Sequence, residues 1–150
     1  MDAVSYPKPE VVKFIQQELV ALRVPSDSKP LSVEFNVQWT PTLIVLDPEG
    51  KEHRRTLGFL PPEELIPSLM LGIAKIHFDQ GRYAEALSKL ERLLAEYPRS
   101  HSAAEAVYLR GVSGYKQSHD AKRLKEAYER LTAEYPSSEW AHRAAPYGLL

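Results

Sequence analysis

The sequence predicts an α/β segment followed by an all-α segment, and three observations predict it. Thr42–Leu46 is a continuous, β-branched apolar run that follows a Thr-Pro pair and ends in a turn. From Pro61 onward the apolar residues change to helical spacing and keep it. A decamer that begins at Glu91 returns at Glu129, 38 positions later, and such self-similarity is typical of stacked helix pairs.

The first 35 residues predict a helix, a strand and a second, short helix. Apolar residues recur at helical spacing from Pro9 to Leu19, and a proline followed by a glutamate suits a first helical turn. Val20–Val24 has the composition of a strand, closed by a turn rich in Pro and Ser. Pro30–Phe35 is then expected to form a short helix ahead of Asn36.

The next 25 or so residues predict a hairpin that leads into a helix. Thr42–Leu46 is expected to be a strand buried on both faces, because it has no polar alternation. Asp47–Gly50 is a turn, with Pro at its second position and Gly at its fourth. His53–Leu57 returns as a more polar strand, and prolines with acidic residues from Pro61 open the following helix. The predicted order is helix, strand, helix, strand, strand, helix in residues 1–66, followed by a helical domain in residues 67–150.

The helical half resembles the tetratricopeptide repeat (TPR), whose unit of about 34 residues is a helix, a turn and a helix closed by a proline. When Pro98 is placed at the closing proline, small or turn residues fall at four further positions of the repeat pattern: Ala74, Gly81, Tyr83 and Ala86. The second unit fits less well, because Gly111 takes a small position but Leu124 stands where a small residue is expected. We expect two units plus a closing helix through Trp140 and Ala144; an ordinary helical bundle is the alternative.

The first 60 residues resemble the C-terminal part of the thioredoxin superfamily. The matching features are Trp39-Thr40-Pro41-Thr42 before a buried strand, the turn that follows it, a second strand, and a helix after Gly58. In that family the proline at the position of Pro41 is cis and lies beside the catalytic dithiol, where the preceding backbone pairs with substrate. The resemblance implies a cis bond at Thr40–Pro41 in place of the ordinary trans form.

The resemblance also implies that one strand is missing. Family members begin with a central strand and a Cys-x-x-Cys loop, and by comparison Met1 falls a few residues after that motif. The absent strand would lie between Val20–Val24 and Thr42–Leu46, so the sheet is expected to have a gap. Unpaired buried backbone groups cost about 1–3 kcal/mol each, so something should close the gap. The flanking strands could pair directly, a partner chain or a second copy could supply an edge, or the true chain could start upstream and carry a Cys or selenocysteine loop.

Composition excludes several classes of function. No cysteine is present, which excludes disulfides and thiol catalysis within these residues. A net charge of -1 lacks the basic excess that nucleic-acid binding requires. The five histidines show no metal-binding spacing, so we expect no metal, no cofactor and no catalytic residue. No apolar run approaches about 18 residues and the first residues do not resemble a signal peptide, so we expect a cytoplasmic chain without membrane contact.

Contact with proteins is the function that remains. We predict a non-catalytic protein-interaction module that binds a protein or peptide and forms a homo-oligomer through the open sheet edge. The alternative is a truncated thiol or selenol oxidoreductase whose redox motif lies upstream of Met1. The predicted binding residues lie at the Thr-Pro pair and on the first helix of each repeat unit: Trp39, Thr40, Pro41, Leu71, Lys75, Phe78, Tyr108, Val112, Tyr115 and Lys116.

Overall fold

Seven α-helices and two β-strands make up the chain, and the computed structural model describes all of residues 1–150. The elements are α1 (Pro9–Glu18), α2 (Leu31–Glu34), β1 (Thr42–Leu46), β2 (Glu52–Leu57), α3 (Pro62–Asp79), α4 (Tyr83–Glu96), α5 (Ala103–Ser118), α6 (Lys122–Glu134), α7 (Glu139–Arg143) and a final 3-10 turn (Ala145–Leu149). The predicted fold class, a small α/β part followed by TPR-like helix pairs, is confirmed.

The sheet is a two-stranded antiparallel hairpin in which Thr42 pairs with Leu57. The turn between the strands uses Gly50 at φ 84°, a left-handed conformation that glycine adopts without steric cost. At the far end of the hairpin Val45 pairs with Arg54 and Leu46 with Glu52. His53 is therefore an extra residue on β2, and the hairpin contains a β-bulge.

The predicted strand at Val20–Val24 is wrong. The segment contains no helix, turn or bend, but its backbone N–H and C=O groups make no hydrogen bond within the chain. A strand exists only when a neighbouring strand accepts and donates its backbone hydrogen bonds, and here neither β1 nor β2 lies beside the segment. Val20 is fully exposed and Leu22 is 80% exposed. The structure thus contains an unpaired, apolar, strand-like segment.

Successive helices pack against one another from α3 to α6, and α7 packs on α5 and α6. The closing helix predicted through Trp140 and Ala144 is shorter than expected, because α7 ends at Arg143 and the 3-10 turn follows. The predicted boundary between residues 66 and 67 lies inside α3, which runs unbroken from Pro62 to Asp79. This helix therefore belongs to both parts of the chain.

One hydrophobic core joins the two parts. It runs from Val11 and Phe14 on α1, past Val45 on β1 and the middle of α3, to Ala141 and Ala144 at the end of the chain. The hairpin approaches α3 so closely that a Cβ on Gly72 would lie 2.7 Å from a methyl carbon of Val45. The sheet is thus packed directly on the first repeat helix.

A close approach in the second repeat unit joins Gly111 on α5 to Ala127 on α6. A Cβ on Gly111 would lie 2.4 Å from the Ala127 Cβ and 3.1 Å from the Arg123 carbonyl oxygen. The repeat pattern places a small residue at the position of Leu124. In the structure the small residue that faces Gly111 is Ala127, one helical turn later. Leu124 is buried beside this contact rather than in it.

Candidate functional site

The Thr-Pro segment lies at the surface of the sheet part. Trp39 is 67% exposed, Thr40 is exposed and Pro41 is half-buried. The Thr40–Pro41 bond is cis, and so is Lys29–Pro30, which the sequence did not single out. Thr42 donates its hydroxyl proton to the Trp39 carbonyl over 2.6 Å, which fixes the loop before β1. A shallow cavity of about 440 Å³ opens beside Trp39 and Thr40.

Large apolar side chains are concentrated at the surface of this same part. Six of them are more than half exposed: Val20, Leu22, Val33, Trp39, Leu57 and Phe59. In the remaining helices only the C-terminal Leu149 and Leu150 are comparably exposed. Clustered exposed apolar residues mark interaction surfaces in soluble domains. The sheet part, rather than the helical array, is where the chain presents apolar surface.

The predicted binding residues of the first repeat unit are engaged within the chain. Leu71 is fully buried and offers no surface to a partner. Lys75 donates to the Glu105 carboxylate over 2.8 Å, and the Phe78 ring packs edge-on against Tyr83. These three residues therefore hold α3 against its neighbours in this structure.

The predicted residues of the second unit are partly covered by the end of the chain. The Tyr108 ring stacks on Tyr147 at 5.8 Å and packs against Trp140 at 5.2 Å. Its hydroxyl lies 2.9 Å from the Tyr147 hydroxyl, and burial together with this contact raises the pKa of Tyr147 to about 12. Three predicted residues on the same helix keep some accessible surface: Lys116 is exposed, and Val112 and Tyr115 are partly buried. The chain's own C-terminal segment therefore covers Tyr108 and leaves the other predicted residues of α5 uncovered by it.

A charged cluster connects the hairpin to both repeat units. Glu105 on α5 accepts hydrogen bonds from Arg54 on β2 at 3.0 Å and from Lys75 on α3 at 2.8 Å. The Arg54 guanidinium also donates to the Ser68 hydroxyl at 3.1 Å. The Arg54 and Glu105 side chains are less than a fifth exposed, so solvent screens this ion pair only weakly. A second ionic contact joins α1 to α4, where Lys89 and Arg92 share the Glu18 carboxylate.

A fully buried histidine lies between two carboxylates at the end of the hairpin. The Nε2 atom of His53 is 2.9 Å from Asp47, which follows β1, and its Nδ1 atom is 2.6 Å from Asp79, the last residue of α3. The hydrogen bond from His53 is the main cause that holds the pKa of Asp47 below its ordinary value, with further bonds from backbone N–H groups. Sequence spacing did not indicate this triad, because its carboxylates come from 6 positions before and 26 positions after the histidine.

The structure has features of neither a metal centre nor a bilayer span. No group of three or more His, Asp or Glu side chains is arranged to hold a metal ion. None of the helices combines the length and the apolar character that a bilayer span requires.

The fold and its surfaces define a helical-repeat protein that carries a small thioredoxin-like sheet at its N-terminal side. Residues 56–146 match the family described as YfiO, outer membrane lipoprotein, and the chain belongs to this family. Residues 5–71 match the family described as thioredoxin-like domain, which supports the fusion predicted from the sequence.

One relative extends the comparison. The chain is 34% identical over 80 residues to the outer membrane protein assembly factor BamD of Caulobacter vibrioides (strain ATCC 19089 / CIP 103742 / CB 15). The matched region is 49% of this chain but 26% of the relative, so the chain spans about a quarter of that protein's length. No solved structure matches the chain.

The family match corrects two expectations. The predicted cytoplasmic location is wrong, since the family is one of outer membrane lipoproteins. The same match weakens the expectation that the chain has no contact with a membrane. Both expectations were based on composition and on the lengths of apolar runs. Neither property indicates the compartment in which a folded domain works.

Proposed function

We propose that this chain is a protein-interaction module whose open sheet edge pairs with a second copy of itself. The observation that carries the proposal is the segment Val20–Val24, which is exposed, free of turns and bends and without a single backbone hydrogen bond. Unpaired extended backbone pairs readily with another strand, and an exposed edge commonly does so with an identical chain.

The order of side chains in this segment suits pairing with itself. In an antiparallel pair centred on Leu22, Leu22 faces Leu22 of the second copy and Val20 faces Val24. Ala21 then faces Arg23 on the opposite side of the ribbon, so no two like charges meet. Trp39, Thr40 and Pro41, with the exposed apolar side chains around them, extend the proposed contact surface beyond the strand pair. A short strand pair alone is marginal in water, so the dimer is expected to depend on concentration.

The helical repeats are proposed to bind other proteins. The relative's name describes a factor for the assembly of outer membrane proteins, and the family is described as outer membrane lipoproteins. We place the partners of this chain among proteins at that membrane, with Lys116, Tyr115 and Val112 of α5 as the accessible predicted contact residues. A nucleic-acid partner has no support, since the net charge is -1.

Disulfide trapping tests the strand pairing, and the absence of cysteine makes it clean because each variant carries one thiol. Cα atoms directly opposite in an antiparallel pair are about 4.5–5.5 Å apart, within the range that a disulfide spans. Leu22→Cys is therefore expected to form a covalent dimer under mild oxidation. Val20→Cys is the matched control: its side chain is more exposed, yet the two Val20 positions lie about 14 Å apart in the proposed pair.

The outcomes separate pairing from random collision. The proposal predicts rapid dimer formation by Leu22→Cys, slow formation by Val20→Cys, and rapid heterodimer formation when Val20→Cys is mixed with Val24→Cys. Equal rates for Leu22→Cys and Val20→Cys would show that the segment reacts by collision, and the proposed dimer would be abandoned.

A further inference from the structure

The β-bulge determines where His53 points. At a two-against-one bulge, consecutive residues direct their side chains to the same face of the sheet, whereas regular strand residues alternate. Arg54 reaches Ser68 on α3, and His53 reaches Asp79 at the end of the same helix. The bulge therefore brings two adjacent residues of β2 to the helix, and His53 lies there with no exposed side-chain surface.

The two short contacts require two protons. A neutral imidazole has one N–H group and one lone pair, and ionised carboxylates only accept hydrogen bonds. A neutral ring between two ionised carboxylates would direct a lone pair at an oxygen less than 3 Å away. A ring protonated on both nitrogens donates to both carboxylates, and such charge-assisted hydrogen bonds are the strong class.

Asp47 has hydrogen bonds of its own that favour its ionised form, whereas the ionised form of Asp79 depends on a neighbouring cation. Asp47 accepts from the backbone N–H groups of Glu49 at 3.1 Å and Lys51 at 2.8 Å in addition to His53. Asp79 is the last residue of α3, where the helix dipole disfavours a negative charge and a neighbouring cation offsets it. Asp79 is 36% exposed and is thus the member of the triad that water reaches.

Several other charged groups on the packed elements are paired among themselves, whereas the buried Nδ1 of His77 on α3 has no hydrogen-bond partner and Arg82 donates to the neutral Gln80 side chain. Arg54, Lys75 and Glu105 form the cluster described above, and Glu52 pairs with Arg55 on β2. Glu49 and Lys51 in the turn face Asp47 through their backbone N–H groups, and Glu63 and Glu64 lie at the opposite end of α3. No further cation is bonded to either carboxylate of the triad.

The triad holds the hairpin at a point far from the segment that links it to α3. The chain connects β2 to the N-terminal end of α3 through Gly58–Pro61, whereas His53 is bonded to the C-terminal end of that helix, about 25 Å away along its axis. Gly58, at φ 86°, is a backbone position at which the hairpin could turn relative to the helix. The triad is therefore the polar contact farthest from the covalent link.

We propose that Asp47, His53 and Asp79 form a proton-dependent latch that holds the hairpin along the first repeat helix. The latch is closed when the ring carries both protons and both carboxylates are ionised. It opens on acidification, when a carboxylate takes a proton, and on alkalinisation, when the ring loses one. Opening frees the turn end of the hairpin while the helical array stays folded. This inference does not depend on the proposed dimer.

Nitrogen NMR of the histidine rings in the wild-type chain tests the protonation directly. At pH 7 both ring nitrogens of His53 are expected to show protonated chemical shifts and attached protons. A single unprotonated nitrogen on His53 at pH 7 would overturn the proposal. This measurement requires no substitution, so it cannot be confused with misfolding.

Hydrogen exchange tests the mechanical role. Asp79→Asn is expected to lower the protection of β1 and β2 amides by roughly tenfold, because the charge-assisted hydrogen bond becomes a weaker bond to a neutral amide oxygen, and to leave α5 and α6 amides unchanged. Asp27→Asn, at an exposed turn, is the matched control and is expected to change neither. An Asp79→Asn chain with unchanged hairpin protection, or with equal loss in α5 and α6, would contradict the latch.

Discussion

Gly111→Ala tests how the second helix pair packs. At an exposed site inside a helix this substitution stabilises a protein by about 1 kcal/mol, because alanine has the higher helix propensity. At Gly111 the new methyl group would lie 2.4 Å from the Ala127 Cβ and 3.1 Å from a backbone oxygen, and neither atom belongs to a flexible side chain. The two effects therefore oppose each other at this position.

Steric repulsion is expected to exceed helix propensity. Overpacking of a close contact costs about 1–3 kcal/mol, and contacts with rigid atoms belong to the upper part of that range. After subtracting about 1 kcal/mol for propensity, we expect a net loss of about 1–2 kcal/mol in the free energy of unfolding. For a chain of this size the melting temperature would fall by about 2–8 °C.

Urea unfolding of the variant and of a control on the same helix provides the assay. Gly114→Ala is the control, because its Cβ would lie 3.3 Å from the Arg123 Cγ atom, part of a flexible side chain that can move. We expect this control to be neutral or slightly stabilising. The double variant Gly111→Ala, Ala127→Gly removes the shorter of the two contacts and should be more stable than the sum of its single variants predicts. A Gly111→Ala chain that is as stable as Gly114→Ala would show that α5 and α6 do not meet at this point.

Three further predictions concern the contacts that hold the two parts together. Glu105→Gln leaves two partly buried cations with a neutral partner and should lower the free energy of unfolding in urea by about 1–3 kcal/mol. The control Glu139→Gln, in an exposed ion pair, should change it by less than about 0.5 kcal/mol. Equal effects of the two substitutions would contradict the importance of the Glu105 cluster. Ser5→Ala removes a fully buried hydroxyl that donates to a backbone carbonyl over 2.5 Å. The free energy of unfolding in the same assay is expected to fall by about 1–2 kcal/mol. An unchanged value would show that water replaces the lost donor. The pKa values of Asp47 and Glu18 are lowered by their hydrogen-bonded cationic partners, so their contribution to stability is present above the ordinary carboxyl values of 3.8 and 4.5 and is lost as the pH falls below them. Thermal melts between about pH 7 and pH 3 should therefore show the steepest loss of stability below about pH 4.5, and a flat profile there would refute the assignment.

Local signals predicted those elements whose partners are near in sequence. The limits of the strand Thr42–Leu46 were predicted to the residue, because a β-branched run bounded by a proline and a turn specifies them. Its predicted burial on both faces is wrong, because a hairpin packed on α3 by one face leaves the other face uncovered and only Val45 is buried. The start of α1 at Pro9 followed from the preference of proline for a first helical turn. Hairpin and helix pairs need only short connections, so their local patterns and their final contacts agree.

Features that depend on partners distant in sequence could not be predicted from the sequence. Val20–Val24 has the composition of a strand, yet a strand is defined by its neighbour, and the chain places none beside it. His53 gave no indication of its role, since its carboxylates come from a turn and from the end of a helix. The covering of Tyr108 by Tyr147 depends on how the last residues fold back, which a repeat pattern does not encode.

The exposed sheet part is proposed to be a surface for protein contact. Light scattering of the purified chain at concentrations of roughly 10 to 500 µM tests this proposal, because association raises the measured mass. The account predicts a mass that rises from 17.0 kDa towards twice that value in the wild-type chain, and a mass that stays at 17.0 kDa when Leu22 is replaced by Asp. A wild-type chain that remains at 17.0 kDa throughout, or a Leu22→Asp variant that associates as the wild type does, would contradict it.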